Sequence, residues 1–397
     1  MSEFFDPRFA DTGLEEQTTG ELDLEARSGL RRVAGLSTEL QDVTEVEYRQ
    51  LRLEKVVLIG VWTDGDFDQT QRSLAELAQL AETAGSQVLD VLVQRRDRPD
   101  PATYIGSGKL QELHQIVMAT GADTVICNGE LSPSQLSKME KVVKVKVIDR
   151  TWLILDIFAQ HARSREGKAQ VSLAQMQYML PRLRGWGDAL SRQSGGIGTR
   201  GPGETKLESD RRRIGKSMSK LRREIKEMGV ARTTQRAQRR RSNVPSVAIA
   251  GYTNAGKSTL LNSLVGSNAV LAEDRLFATL DPTSRRLRLP SGAHAIVTDT
   301  VGFIHKLPHQ LVDAFRATLE EVARADLLLE VVDASDRHWA EHRATVQEVL
   351  EELGVDEKPR IAVANKCDRP NAGALIEGAL RVAAATGDGL PALRDHL

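Results

Sequence analysis

The chain has 397 residues, of which 40% are hydrophobic and 27% charged, and its formal net charge at pH 7 is −1. This length exceeds that of a typical single domain, and the composition is that of a globular protein rather than a disordered or fibrous one. No apolar run reaches the roughly 18 residues of a membrane span, and the acidic start is not a secretory signal. Cys127 and Cys367 form neither a disulfide framework nor a zinc pattern, so we expect a cytoplasmic protein.

The small net charge conceals two segments of opposite sign. Residues 1–50 contain 5 Lys or Arg and 12 Asp or Glu, and we interpret them as an acidic mobile extension. Residues 163–241 contain 21 Lys or Arg and 7 Asp or Glu. Such an excess of positive charge predicts a polyanionic partner for that segment alone.

Strands and helices alternate over residues 51–150, which we predict to be an N-terminal α/β subdomain. Its strands are VVLIGVW, VLDVLVQ, DTVIC and VKVID, each followed by a stretch with helical periodicity. The tetrapeptide Gly106-Ser107-Gly108-Lys109 resembles part of a phosphate-binding loop. It lacks the full spacing of such a loop, so we do not predict a phosphate site there.

Residues 151–242 predict a basic helical hairpin. We expect one helix from 151 to the region of Pro181 and a second from about 204 to about 229. Outside its apolar face, the second helix is rich in cations. This excess predicts RNA binding by Arg211, Arg212 and Arg213, although a solvated face would look similar. Apolar residues recur at heptad spacing, which indicates packing along a neighbouring helix: Leu207, Ile214, Met218, Leu221, Ile225 and Met228.

The stretch GGIGTRGPGE joins the two predicted helices, and its residues 196–201 fit the pattern GxGxxG. In dinucleotide-binding folds this pattern follows a strand and opens a helix, whereas here a helix precedes it and Pro202 interrupts the entry into the next one. We interpret the stretch as a thin hairpin tip that contacts RNA; a simple flexible turn is the alternative. The predicted contacts of the tip are Gly196, Gly198, Arg200 and Gly201.

From residue 243 to 397 strands and helices alternate again, which predicts a doubly wound, mainly parallel sheet. The octapeptide GYTNAGKS, directly after the strand VAIAG, fits the phosphate loop GxxxxGK[ST]. Backbone N–H groups of such a loop surround phosphates, Lys257 reaches the β- and γ-phosphates, and the Ser258 hydroxyl binds Mg²⁺. If this motif stood alone, a chance match to the pattern would be the alternative explanation.

Two further motifs follow the ends of later strands. Asp299 of DTVG is placed to support Mg²⁺ through water, and Gly302 lets its N–H approach the γ-phosphate. Asp368 of NKCD accepts hydrogen bonds from N1–H and the 2-amino group of guanine, which adenine does not present. The three motifs together predict GTP rather than ATP; a turn capped by Asp368 is the alternative interpretation of NKCD.

Two positions between and after these motifs bear on hydrolysis. Thr279 and Thr283 of LFATLDPT both qualify as a hydroxyl that joins the Mg²⁺ shell only beside a γ-phosphate, and their spacing does not separate them. Phe303 stands where many related GTPases have a glutamine that orients water. We therefore predict slow intrinsic hydrolysis that a partner accelerates; a core phenylalanine without catalytic meaning is the alternative.

These motifs together resemble the HflX-type, translation-associated GTPases over roughly residues 35–397. The most specific stretches are ATYIGSGKLQEL, LSRQSGGIGTRGPGE, LESDRRRI, GYTNAGKSTLLN and LFATLDPTSRR. The resemblance implies that Thr279 is the Mg²⁺-sensing threonine and that a hydrophobic residue at 303 is ordinary. It also implies binding to the large ribosomal subunit and its RNA, with the glycine-rich tip directed at the peptidyl transferase centre, and GTP-dependent splitting of stalled or idle ribosomes. The chain departs from the family at Ala383–Ala385, where Ser-Ala-x is usual.

We therefore expect a monomeric, Mg²⁺-dependent GTPase without a membrane span. The alternatives are a GTPase in large-subunit assembly and a nucleotide-controlled RNA chaperone or hibernation factor. The expected catalytic contacts are Lys257, Thr279 and Gly302, and the expected metal ligands are Ser258, Thr279 and, through water, Asp299. The expected nucleotide contacts are Gly251, Tyr252, Thr253, Asn254, Ala255, Gly256, Lys257, Ser258, Thr259, Phe277, Ala278, Thr279, Leu280, Asp281, Asp299, Thr300, Val301, Gly302, Asn365, Lys366, Cys367, Asp368, Ala383, Ala384 and Ala385.

Overall fold

Two mainly parallel sheets joined by a pair of long helices make up the fold. The computed structural model describes residues 54–63, 67–191, 202–241, 244–266, 276–305, 316–355, 357–373 and 376–397. The predicted acidic extension and the tip residues Gly196, Gly198, Arg200 and Gly201 lie outside this part of the chain. The predicted α/β fold class, with a helical hairpin between two α/β units, is confirmed.

The first sheet has four parallel strands in the order β2-β1-β3-β4. They are β1 (Lys55–Trp62), β2 (Gln87–Arg95), β3 (Thr124–Cys127) and β4 (Lys146–Asp149). The connecting helices are α1 (Phe67–Thr83), α2 (Ser107–Thr120) and α3 (Pro133–Val143). Strands β1 and β3 are buried along most of their length, as continuous apolar strands covered by helices on both faces should be.

A break at 162–164 divides the first half of the hairpin region into α4 (Arg150–His161) and α5 (Arg165–Ser191). The prediction of one helix ending near Pro181 is therefore wrong on two counts. At the break, the backbone N–H groups of Arg163 and Ser164 donate to the Asp281 carboxylate at 2.8 and 2.7 Å. Beyond Pro181 the helix continues, and the Arg182 guanidinium donates to the Tyr178 carbonyl at 2.9 Å inside it.

The second half of the hairpin is α6 (Pro202–Arg241), a helix of 40 residues. It begins earlier than predicted, because a proline is favoured rather than disruptive at the first position of a helix, and it also ends later than predicted. The predicted heptad seam packs on α5 at its centre, where Ile214 and Met218 are buried. They contact Leu173, Met176 and Leu180.

The second sheet has six strands in the order β10-β9-β8-β5-β7-β6, parallel except for β6. Its strands are β5 (Ser246–Gly251), β6 (Thr283–Arg288), β7 (His294–Asp299), β8 (Leu327–Asp333), β9 (Arg360–Asn365) and β10 (Leu380–Arg381). Its helices are α7 (Lys257–Val265), α8 (Arg316–Arg324), α9 (Trp339–Glu352) and α10 (Leu390–His396). Strands β5, β7, β8 and β9 all end at the same edge, which brings the three predicted motifs together.

One hydrophobic cluster extends through both α/β units, with α4 at its centre. Phe158 of α4 is fully buried and belongs to the same cluster as Leu58 of β1 and as Phe277 and Val346 of the second unit. The side chains on either side of the 150/151 boundary therefore belong to one core; the domain boundaries at 50, 150 and 242 stay predictions. No helix in the described ranges is long and apolar enough to cross a membrane.

Replacing Phe158 with alanine tests the importance of this shared cluster. We expect Phe158→Ala to lower the free energy of unfolding by about 3–5 kcal/mol, because a large cavity is left between the two units. Chemical denaturation followed by circular dichroism measures the loss. Met118→Ala, which truncates a side chain that is 67% exposed, should change the same quantity by less than about 0.5 kcal/mol; equal effects would contradict the assignment.

Candidate nucleotide site

The loop after β5 turns sharply before α7 begins at Lys257. Asn254 and Gly256 have left-handed backbone conformations, with φ of 58° and 88°. A Cβ at Gly256 would lie 2.3 Å from the Asn365 amide nitrogen. Only glycine therefore fits there, and the N-terminal turn of α7 opens into a cavity of about 250 Å³. A helix N-terminus with its loop N–H groups is suited to bind phosphate.

Lys257 is the buried cation of this cavity. Its ammonium group donates to the Tyr252 carbonyl at 2.7 Å, and the residue is only 6% exposed. Burial lowers the pKa of Lys257 to about 8; Asp299 opposes this shift and Lys366 adds to it. An anionic phosphate would favour the charged ammonium form, so the side chain fits the predicted phosphate contact.

Three oxygen atoms from three segments meet beside Lys257. The Ser258 hydroxyl donates to Asp299 Oδ2 at 2.6 Å, the Thr279 hydroxyl donates to the same oxygen at 3.0 Å, and the two hydroxyls are 2.8 Å apart. Asp299 is fully buried, and its Oδ1 has no hydrogen-bond partner within the described residues. Burial raises the pKa of Asp299, while the hydrogen bond from Ser258 and the charge of Lys257 act in the opposite direction.

This group of two hydroxyls and one carboxylate has the chemistry of an Mg²⁺ site, since Mg²⁺ prefers oxygen ligands. The partnerless Asp299 oxygen is a free acceptor for a metal-bound water. Thr283, the other threonine that the spacing allowed, starts β6 instead and its hydroxyl faces the Asp281 carbonyl at 3.5 Å. Within the part of the chain that the structure describes, no three His, Cys, Asp or Glu residues cluster as metal ligands.

The segment after β7 lies against the phosphate loop. A Cβ at Gly302 would come within 2.8 Å of Thr253 Cα and 3.0 Å of the Lys257 ammonium nitrogen, so only glycine fits. The next residue, Phe303, donates its N–H to the Gly251 carbonyl and accepts from Thr253 N–H at 2.7 Å. Its ring is 1% exposed and lies in the hydrophobic core, away from the cavity.

The NKCD motif connects the two ends of the cavity. The Asn365 amide donates to the Ala255 carbonyl at 2.9 Å and accepts from Ala384 N–H at 3.0 Å. Lys366 has a φ of 60°, and its ammonium group lies 2.7 Å from Asp333 Oδ2. Burial would raise the pKa of Asp333, but hydrogen bonds from Lys366 and Ser335 outweigh it and lower this pKa.

Most of the expected nucleotide contacts line the cavity. They are Thr253, Asn254, Gly256, Lys257, Ser258, Thr259, Phe277, Ala278, Thr279, Thr300, Gly302, Asn365, Lys366, Asp368, Ala384 and Ala385. The others are not part of its wall: Gly251, Tyr252, Ala255, Leu280, Asp281, Asp299, Val301, Cys367 and Ala383. Asp299 lies behind Ser258, and Asp281 instead binds the start of α5. Arg369 also lines the cavity; a cation directly after NKCD was the only sequence signal for it.

The Tyr252 side chain lies outside the cavity, where it contacts residues of both α/β units. Its ring stacks on His342 with centroids 4.0 Å apart, and its hydroxyl donates to Glu76 of α1 and accepts from His305 N–H at 2.9 Å. Burial raises the pKa of Tyr252 above its usual range. Glu76 also pairs with Arg150, whose guanidinium donates to the His305 carbonyl at 3.3 Å. Because these partners are distant in sequence, the motifs gave no indication of them.

Comparison with known proteins covers the same segments. Residues 71–159 match a family model described as the GTP-binding GTPase N-terminal region, and residues 161–239 match the GTP-binding GTPase middle region. Residues 246–366 match the family described as 50S ribosome-binding GTPase.

Individual relatives resemble most of the chain. The GTPase HflX of Caldanaerobacter subterraneus subsp. tengcongensis is 52% identical over 315 residues, which is 79% of this chain and 73% of the relative. The GTPase HflX of Escherichia coli is 45% identical over 316 residues, with the same two coverages. A crystal structure of a GTP-binding protein from Sulfolobus solfataricus in complex with GDP is 26% identical, covers 86% of this chain and 96% of its own, and has a TM-score of 0.45.

Gly302→Ala tests the close approach of the DTVG segment to the phosphate loop. We expect kcat/KM for GTP to fall at least about tenfold, because a methyl group 2.8 Å from Thr253 Cα pushes the segment away. Steady-state phosphate release measures the change. Gly215→Ala, which places a methyl group in open space on α6, is the control and should retain wild-type kinetics; a Gly302→Ala enzyme with wild-type kinetics would refute the steric argument.

Proposed function

The chain belongs to the HflX family of GTPases, and on that premise we propose that it is a cytoplasmic, monomeric, Mg²⁺-dependent GTPase that binds the large ribosomal subunit and splits stalled or idle ribosomes. The observation that supports the nucleotide chemistry is the convergence of Ser258, Thr279 and Asp299 within 3.0 Å of one another beside Lys257. GTP binding keeps Thr279 and Gly302 at the phosphates and favours the ribosome-bound form. GTP hydrolysis then releases the protein from the ribosome.

The proposed reaction is the in-line attack of water on the γ-phosphorus of GTP. Ser258 and Thr279 would hold Mg²⁺ directly and Asp299 through water; the metal would neutralise charge on the phosphate oxygens. Lys257 stabilises negative charge that develops on the phosphates, and the Gly302 N–H is a further donor. The buried Phe303 ring cannot orient water, which supports slow intrinsic turnover and acceleration by a partner.

The opposite end of the cavity is proposed to read the guanine base. Asp368 is exposed on the cavity wall and is placed to accept from N1–H and the 2-amino group. The N–H of Ala384 already serves Asn365, so the N–H of Ala385 is the proposed donor to the guanine oxygen. The alanines at 383–385 can supply this contact because it needs only backbone.

Asp368→Asn tests the choice of base. The amide replaces one acceptor with a donor, so we expect GTP affinity to fall at least about tenfold while affinity for xanthosine triphosphate, which has a carbonyl in place of the 2-amino group, rises. Fluorescence titration with labelled nucleotides measures both constants. Asp395→Asn, on the exposed end of α10, should alter neither; weaker binding of both nucleotides by Asp368→Asn would contradict the assignment.

One face of α6 supports the proposed contact with ribosomal RNA. Arg212, Lys216, Lys220 and Arg223 recur three or four residues apart and line a shallow surface groove with Gly215 and Ser219 between them. Arg212 and Arg213 are exposed, whereas Arg211 is half-buried. Some of these cations also pair with acidic residues one turn away, such as Arg223 with Glu227 at 3.8 Å. Such exposed pairs contribute little, so the cations remain able to bind phosphate.

GTP turnover with purified large subunits tests the ribosomal role. We expect stimulation of turnover by the subunits and a steep decrease of this stimulation with salt. For the double variant Arg212→Ala/Lys216→Ala, the plot of log affinity for the large subunit against log salt concentration should be less steep by about 2. Each phosphate contact contributes about 1 to the steepness of this plot. Lys138→Ala, exposed on α3, is the matched control.

Unstimulated turnover should be the same in all three proteins. Subunits that leave turnover unchanged in the wild type would refute the proposal.

A further inference from the structure

The segment that carries Thr279 is attached to the helical hairpin by a single carboxylate. Asp281 Oδ2 accepts from Arg163 N–H at 2.8 Å and from Ser164 N–H at 2.7 Å, and Oδ1 accepts from the Ser164 hydroxyl. The Ser164 hydroxyl in turn accepts from Gly167 N–H at 2.9 Å, which caps the first turn of α5. Asp281 therefore completes the N-terminal cap of α5 from the other α/β unit.

Space at this contact is limited. A Cβ on Gly167 would lie 2.4 Å from Asp281 Oδ1 and 3.0 Å from the Ser164 hydroxyl. A residue with a side chain at position 167 would displace the carboxylate, which is the end of a movable side chain. The absence of a side chain at 167 is thus what lets the carboxylate reach the helix.

Thr279 lies between two anchored residues. Asp281 follows it by two positions, and two residues of extended chain span at most about 7 Å. Phe277 precedes it by two positions and packs edge-on against Phe158 of α4, with ring centroids 4.6 Å apart. Phe277 is also in the left-handed conformation, with φ of 57°. A bulky non-glycine residue keeps a left-handed backbone conformation only where the surrounding structure holds it.

The side chains of residues 277–280 are divided between the hydrophobic core and the nucleotide cavity. Phe277 and Leu280 are buried in the cluster around α4, with exposures of 2% each. Ala278 and Thr279 line the nucleotide cavity, which Phe277 also borders. The segment is therefore a strap whose apolar side and final carboxylate are fixed to α4 and α5, and whose remaining side presents the threonine hydroxyl to Ser258 and Asp299.

We propose that Asp281 is a positioning residue for the GTPase reaction: its attachment to the N-terminus of α5 holds the Thr279 hydroxyl at the metal position beside Ser258 and Asp299. Coupling of this kind is reciprocal, so occupation of the metal position by Thr279 also stabilises the first turn of the hairpin helix. The inference rests on the proposed role of Thr279 as an Mg²⁺ ligand. It identifies Asp281 as a helix cap rather than a nucleotide contact.

Two variants break the same contact in different ways. Asp281→Ala removes the carboxylate, whereas Gly167→Ala leaves it intact and displaces it. Alanine is favoured over glycine in a helix, which offsets part of the lost cap contact, so the second variant should still fold. Asp90→Ala, on an exposed residue of β2, is the control. Thr279→Ala reports what complete loss of the hydroxyl does.

The measurement is the Mg²⁺ concentration that gives half-maximal binding of a non-hydrolysable GTP analogue, with GDP as the second ligand. We expect Asp281→Ala and Gly167→Ala to raise this concentration at least about fivefold for the analogue and to leave it unchanged for GDP, because Thr279 joins the metal only beside a γ-phosphate. In the nucleotide-free protein, the amides of residues 167 and 168 should be less protected against hydrogen exchange, relative to their intrinsic rates, in both variants than in Asp90→Ala.

The outcomes separate this inference from the function on which it rests. A large shift in Thr279→Ala with wild-type Mg²⁺ dependence in Asp281→Ala and Gly167→Ala would overturn the positioning role of Asp281 alone. No shift in Thr279→Ala would overturn the proposed metal site, and the positioning role with it. Faster exchange at α5 without any change in Mg²⁺ dependence would reduce Asp281 to a helix cap and also overturn the proposal.

Discussion

The burial of helix α4 between the two α/β units is the constraint on which the rest of the structure depends. Leu153, Ile154, Leu155, Ile157 and Phe158 are each at most 2% exposed. Full burial of such a side chain contributes about 1.5–3 kcal/mol, so separation of the units would expose a large fraction of the core. Because Phe277 packs against Phe158 of α4, the burial of α4 also holds the strap, whose residues Ala278 and Thr279 line the nucleotide cavity.

Three charged side chains at the cavity are each held by partners within the protein. Lys257 is buried with a carbonyl as its hydrogen-bond partner, and its lowered pKa reflects the cost of keeping an ammonium ion away from water. Lys366 is held in place by Asp333, and Asp299 by two hydroxyls. These cations and acceptors of the cavity are thus each oriented by a partner within the protein, as electrostatic stabilisation of phosphate and metal requires.

The place of the cavity could be predicted from sequence because it depends on local motifs at strand ends. The three motifs fall at one edge of the second sheet, and the pattern of strands in both units matches the alternation of apolar segments. The prediction of one continuous helix from residue 151 failed because the helix break depends on contacts between distant residues. The break at 162–164 requires Asp281, more than a hundred positions away, and the apolar pattern of 151–161 contains no sign of it.

Tyr252 illustrates the same limit from the opposite direction. Its place in the phosphate loop indicated a nucleotide contact, yet its side chain lies against Glu76 and His342. A motif specifies the path of the backbone but not the direction of each side chain along it. Pro202 shows that the effect of a residue depends on its position in the helix. Proline disrupts a helix interior but is favoured at the first position of a helix.

The amide of Asn365 has a consequence for how the site tolerates change. This one group joins the carbonyl of Ala255 on the phosphate side to the N–H of Ala384 on the base side. Substitutions in the two loops are therefore coupled through a common partner, and their effects on affinity should not be additive. The loop at 383–385 contributes backbone atoms to this link, while Ala383 and Ala384 are buried, with exposures of 1% and 3%, so larger side chains there would disturb the path of the chain.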